Sequence, residues 1–371
     1  ILVDESRTFG MEGLFRQIGI YNPQGQLYEP ADRDQVMYYR EDKRGQVLQE
    51  GINEAGGMAS WIAAATSYST NNRIMLPFYV FYSMFGMQRI GDLIWAAADM
   101  RARGFLIAGI AGRTTMNGEG LQHEDGHSHV IAASIPTCIP YDPTFGHEVA
   151  VIVQDGVRRM VADQEDAFYY ITVMNENYAH PGLKPGQEEG ILKGMYLLSQ
   201  GEPGALRVQL MGSGTILRES ISAAELLRDD WGVQADIWSA PSLTLLARDG
   251  QDVERWNLVN PQGPQRQAYV TSLLQDTSGP IIATTDYMRI FAEQVRAYMP
   301  AGRSFKVLGT DGFGRSDSRQ RLRSFFEVDR YYVTVAALRA LADEGRIGLD
   351  IVQAAIAKYG IDTGKRSPMQ D

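Results

Sequence analysis

Along the chain, short continuous apolar runs alternate with longer stretches of mixed polarity. Pro77-Phe78-Tyr79 through Phe81, Phe105 to Gly112 and Ala167 to Val173 are strand-length runs rich in aromatic and β-branched residues. Between them, Ile90 to Met100 and Glu148 to Met160 carry helical spacing. Ser134-Ile135-Pro136 with Cys138-Ile139-Pro140 reads as a short extended segment. Unbroken apolar strands separated by helices predict a mostly parallel sheet covered on both faces, with ligand sites in the loops that follow the strands. Beyond a Pro- and Gly-rich stretch, Ala179 to Gly186, the alternation restarts. There Leu206 to Met211, Ala235 to Trp238 and Pro280 to Thr284 read as strands, and Ser222 to Trp231, Ala337 to Glu344 and Ile351 to Tyr359 as helices. The predicted fold is α/β, with two tandem, mostly parallel-sheet domains at residues 1–183 and 184–371.

At 371 residues, with 44% hydrophobic and 22% charged positions, the chain is long enough for two ordinary cores. A net charge of -10 argues against nucleic acid or an anionic membrane surface as the main partner. Every apolar run falls short of the ~18–20 residues of a membrane span. Cys138, the single cysteine, excludes an internal disulfide framework and fits a reducing cytoplasm, the expected location. Ile1-Leu2-Val3 has no initiator Met and no signal-peptide pattern, and reads as a buried strand entered partway through a longer chain.

The densest chemistry lies in Gly118 to His129, which holds three of the five histidines and the carboxylates of Glu119, Glu124 and Asp125. Groups that titrate near neutrality suit proton transfer or metal ligation. His123-Glu124-Asp125-Gly126-His127 formally matches the zincin pattern, a zinc hydrolase site using His123, Glu124 and His127. Gly126, Asp125 and the upstream Gly118 and Gly120 oppose the helix that such a site needs, and no spacing downstream supplies its third ligand. A polar surface loop is the plain alternative. Gly212-Ser213-Gly214-Thr215 could cradle phosphate or simply turn the chain, and Asp311 to Asp317 reads as a Gly-rich charged loop. Glu54 sits among glycines before the helical run Ala59 to Ser67. It either faces a ligand half-desolvated or favours the helix dipole.

Several of these segments together are specific. Asp4 to Phe15, Glu50 to Met58, Phe81 to Gly86, Gly112 to His129 and Leu308 to Asp317 resemble the transketolase-like thiamine enzymes. Within them the chain is similar to the homodimeric bacterial type of pyruvate dehydrogenase first component, along essentially its whole length. The resemblance implies a pyrimidine-binding domain over residues 1–183 and a transketolase C-terminal domain over 184–371. Glu54 would then meet the aminopyrimidine ring of thiamine diphosphate, and Phe85 would stack on it. Tyr82 would lie near the substrate pocket, and His123 and Glu119 would handle protons around the substrate and its lipoyl acceptor. Asp4 and Glu5 would lie near the cofactor in the dimer, and Gln24 to Arg40 would be a loop that closes over the site. Family members hold the diphosphate and magnesium through an upstream Gly-Asp-Gly motif, which this chain lacks. The diphosphate-binding domain is therefore expected before Ile1 or on another chain. The partners implied are a second copy or a chain supplying that domain, pyruvate, and a lipoyl-bearing dihydrolipoamide acetyltransferase. A related 2-oxo acid dehydrogenase component and a non-catalytic fragment are the other readings.

Overall fold

The computed structural model describes residues 1–2, 10–31 and 39–370. A short parallel pair, β1 (Ile20–Tyr21) with β2 (Glu41–Asp42), lies beside a four-stranded sheet of β3 (Phe78–Tyr82), β4 (Gly104–Gly109), β5 (Cys138–Tyr141) and β6 (Phe168–Thr172). Its order is β3-β4-β6-β5, all parallel. Sheet alternation decides how each strand is covered. Tyr79 and Phe81 point into a cluster with Met58, Trp61, Ile90 and Ile94, beneath the helices Glu54–Ala65 and Ser83–Asp99. Val80 points the other way, to Leu2, Phe15, Ile20 and Val47. Phe105 and Tyr169 also face that side, where Ile152 of the helix Gly146–Val157 covers them. Trp61 fixes helix to sheet, since its indole N–H donates to the carbonyls of Pro77 (3.3 Å) and Phe105 (3.2 Å).

A second sheet contains β7 (Tyr196–Ser199), β8 (Arg207–Gly212), β9 (Gln234–Ser239), β10 (Ile281–Thr284) and β11 (Phe305–Leu308), in the order β11-β10-β8-β9-β7. Its strands are parallel except β7, which runs antiparallel beside β9. The expectation of mostly parallel α/β sheets thus holds. The sheets meet across a buried polar seam. Asp142 accepts from the hydroxyls of Ser213 and Thr172 at 2.7 Å each, Thr115 pairs with Thr215 at 2.8 Å, and Thr115 also donates to Asp286 at 2.8 Å.

Several boundaries differ from the sequence reading. The helix expected from Ile90 begins at Ser83 and continues through a non-helical residue at Ile90 (φ -123°, ψ 15°). The helix expected after Ala59 begins at Glu54, where Asn53 accepts from Gly56 N–H at 3.0 Å and caps it. Ser134 and Ile135 lie in the turn that ends the helix Ser128–Ala133 rather than in extended chain. Pro140 is tolerated in β5 because that strand is the sheet edge, where a missing N–H breaks no ladder. The strands β7 and β11 and the helix Leu243–Val259 went unread. Of Ile1-Leu2-Val3, Leu2 is buried and bridges Val80 and Gln49, while Val3 lies outside the described residues.

Candidate active site

Glu54 opens its helix at the edge of the first sheet and is only 7% exposed. Gly57, one turn along, lets the Tyr79 ring approach, because a Cβ there would lie 2.7 Å from the Tyr79 hydroxyl. That hydroxyl donates to the Glu54 carbonyl at 3.2 Å. Arg89 donates to Glu54 Oε1 at 2.8 Å, and its guanidinium carbon lies 4.5 Å from the centre of the Phe85 ring. The arginine is half exposed, so this ion pair reaches from the buried carboxylate to the surface.

Phe85 and Tyr82 stand where β3 passes directly into the next helix, at the C-terminal end of the strand. Their ring centres are 6.2 Å apart. His123, on the loop after β4, sets its ring edge-on to both, at 4.8 Å from Phe85 and 5.7 Å from Tyr82. Its Nε2 lies 3.9 Å from Glu119 Oε2, and its Nδ1 is buried without a hydrogen-bond partner among the described residues. Glu54, Phe85, Tyr82, His123 and Glu119 therefore form one chain of contacts, with Arg89 as a link that the sequence reading missed. The signal for Arg89 was its place one helical turn beyond Phe85, but many surface arginines share such a spacing. Asp4 and Glu5 lie outside the described residues, as do residues 32–38 of the expected closing loop. A separate cavity of about 1620 Å³ opens against Phe78, Val80 and Ile107 and contains none of these site residues.

Further along the polar loop, Glu124, Asp125, Ser128 and His129 are buried. Asp125 accepts from the N–H groups of His127 (3.0 Å) and Ser128 (2.9 Å), holding the start of the helix Ser128–Ala133. His129 lies between Tyr170, Tyr287 and Phe291, and burial pushes its imidazole down to about 3, so it stays neutral. Burial raises the Glu124 carboxyl to about 8, although the Arg315 N–H donates to it at 2.6 Å. This arrangement overturns the zinc reading. His123 closes a 3-10 turn, Glu124 is extended, and His127 lies beside Gln88 (3.2 Å), so no helical face presents both histidines. Among the described residues no group of three or more His, Cys, Asp or Glu could hold a metal ion. Gly212-Ser213-Gly214-Thr215 belongs to the buried seam, which favours the plain turn over a phosphate cradle.

The fold is that of transketolase-like enzymes. The chain overlays transketolase from Leishmania mexicana with a TM-score of 0.61 at 17% identity, covering 90% of this chain and 44% of that one. Against a split-gene transketolase, described as an inactive β4 tetramer, the TM-score is 0.57 at 14% identity, covering 89% and 96%. Residues 1–181 match the pyruvate dehydrogenase E1 component middle domain, and residues 194–329 match the transketolase-like C-terminal domain. The pyruvate dehydrogenase E1 component of Cupriavidus necator is 64% identical over 371 residues, covering 100% of this chain and 41% of that protein. That of Escherichia coli K12 is 60% identical over 369 residues, covering 99% and 41%. The chain belongs to the pyruvate dehydrogenase E1 component family and spans about two fifths of the length of these curated relatives.

Proposed function

We propose that this chain supplies the pyrimidine-facing half of a thiamine diphosphate site in a pyruvate dehydrogenase E1 component. The reaction would be decarboxylation of pyruvate, followed by reductive acetylation of a lipoyl group on the acetyltransferase partner. The observation that carries this reading is the buried Glu54 carboxylate, joined through Arg89 to the Phe85 ring and so to Tyr82 and His123, at the C-terminal edge of a parallel sheet.

The residues present fit the cofactor. Arg89 engages Glu54 Oε1 and leaves the second oxygen outside that pair, able to accept from a protonated ring nitrogen. Phe85 offers an aromatic face, and the orphaned His123 Nδ1 is a buried polar atom that a bound ligand would satisfy. When bound, thiamine diphosphate supplies the carbon nucleophile and electron sink that decarboxylation needs. The protein's part is to orient and to hold protons. Glu54 accepts a hydrogen bond at the pyrimidine edge, while His123, with Glu119 beside it, serves the substrate and acceptor side. Asp4 and Glu5 are assigned to the cofactor by resemblance alone. By the same resemblance, the diphosphate and magnesium would be held by a Gly-Asp-Gly segment upstream or on another chain.

This reading makes a second copy or complementary chain necessary and leaves these 371 residues inactive alone, as the split-gene transketolase assembly is. A cytoplasmic location is part of the proposal. It rests on Cys138, a buried free thiol. In the assembled enzyme, Glu54→Ala should lower decarboxylation by roughly 10²-fold or more, the scale of a lost acid–base group. Near-normal turnover would defeat the assignment. His123→Ala should impair transfer to the lipoyl acceptor more than cofactor binding, and equal loss of both would contradict its role.

A further inference from the structure

The loop that carries His123 is held by both units of the fold. Residues 115–124 lie against residues 315–319 and are joined to them by a ladder of hydrogen bonds. Gly118 N–H donates to the Asp317 carbonyl (3.2 Å), Arg315 N–H to Glu124 Oε2 (2.6 Å), and the Ser316 hydroxyl to the Glu119 carbonyl. Arg319 adds its N–H to Asn117 Oδ1 (3.4 Å) and its Nε to the Thr115 carbonyl (2.6 Å). Within this ladder Glu124 is 1% exposed, and its Oε1 has no partner among the described residues. The facing loop leaves room for it, since a Cβ on Gly314 would lie 2.7 Å from both the Cβ and the Oε2 of Glu124.

We propose that Glu124 is a positioning residue: by accepting the Arg315 N–H it straps the active-site loop to the second unit and fixes where His123 and Glu119 stand. The inference rests on the reading of those two residues as proton-handling groups. His123 itself has little to orient it, having edge contacts with two rings, a carboxylate at 3.9 Å and an unpartnered Nδ1. The ring therefore follows its backbone, and the residue that anchors that backbone is the next one along. Displacement of a reacting group by about 1 Å can cost on the order of 10²-fold in rate.

The strap also has a pH range. Burial holds Glu124 protonated to about pH 8, and the charged groups facing it are Arg113 and Asp286. Asp125 and Asp311 face Arg113 in turn, His123 and Glu119 lie on the same loop, and Arg315 and Asp317 lie across the ladder. Ionisation in that enclosure favours the open, hydrated position of the carboxylate, so the loop should loosen as pH rises past 8.

The test uses Glu124→Ala and Glu124→Gln in the assembled, cofactor-loaded enzyme. The readouts are kcat and KM for pyruvate on both sides of pH 8, and amide exchange across residues 115–124. Glu124→Ala should lower kcat by roughly tenfold or more with KM changed less than about threefold, and should speed exchange in the loop. Glu124→Gln keeps an acceptor without the charge, so it should restore both properties at neutral pH and abolish the alkaline decline. Unchanged exchange in Glu124→Ala, or failure of Glu124→Gln to rescue, overturns the proposal. Should Glu124→Ala not fold, Gly314→Ala wedges the same contact and must give the same loss of kcat. Unchanged turnover in Glu124→Ala beside a large loss in His123→Ala would sink the strap alone. Unchanged turnover in both would sink the reading of the site.

Discussion

Replacing Asp142 by Asn gives a test of the seam with a sign and a size. The carboxyl is fully enclosed, accepts hydroxyl hydrogens from Thr172 and Ser213 at 2.7 Å each, and has no cation as a direct hydrogen-bond partner among the described residues. Burial raises it from an ordinary 3.8 to about 7, with the nearby Asp286 and Asp125 adding to the rise and the two hydroxyls opposing it. A carboxyl raised on folding contributes stability that is fully present below about pH 4 and lost as pH climbs through about 7. At about 1.4 kcal/mol per tenfold change in proton affinity, this corresponds to roughly 4 kcal/mol as a ceiling. Asn cannot ionise. Its oxygen can accept from one hydroxyl while its amide donates to the other, since the Ser213 hydroxyl is free to turn. Asp142→Asn should therefore be near wild type or somewhat weaker at about pH 4.5, and gain on it by roughly 1–4 kcal/mol by about pH 8. Urea unfolding of both proteins across that range measures the difference. Asp286, raised to about 6, and Glu124, raised to about 8, titrate in both proteins and largely cancel. A stability gap that stays constant across pH would refute the argument.

Two further outcomes follow from contacts outside that seam. Arg248 on the helix Leu243–Val259 donates to the carbonyls of Cys138 (2.6 Å), Ala133 (3.1 Å) and Ile135 (3.0 Å). Arg248→Met removes all three donations between the units, although Ile135 keeps the Cys138 N–H at 3.2 Å, and should destabilise by about 1–3 kcal/mol in urea unfolding. Loss below 0.5 kcal/mol would mean that water replaces the arginine, on the order expected for a surface substitution. Phe85→Ala removes one of the two rings that hold His123 and the face offered to the cofactor. It should weaken thiamine diphosphate binding by on the order of tenfold in a titration of the assembled enzyme, while unchanged affinity would remove Phe85 from the site.

The strands of the first sheet were legible because each is an unbroken apolar run, a pattern that burial on both faces imposes. Strand β7 was not, because it forms an edge, and its burial runs from buried Tyr196 to exposed Ser199. The helix Leu243–Val259 hid for a related reason. Its buried positions, Leu243, Thr244, Leu246, Ala247 and Gly250, are followed or interleaved by Arg248, Asp249, Asp252 and Glu254, so the average polarity masks the period. At the site, Glu54, Phe85 and His123 could be marked by resemblance, but the contacts joining them could not. Arg89 meets Glu54 from 35 positions away, and the ladder to residues 315–319 spans about 200, separations that no local pattern encodes.

That ladder bears on how such enzymes can be recombined. Among the described residues the second unit contributes no ring or carboxylate to the contact chain from Glu54 to Glu119, so on those contacts alone a chimera carrying another transketolase-like C-terminal unit would work once its sheet packed. The join at Gly314 argues otherwise. A donor segment with any side chain at that position would press on Glu124 and displace the neighbouring histidine, although every residue of the contact chain was retained. Exchangeable boundaries in this fold are therefore set by the segment 314–319 as much as by the linker between the sheets.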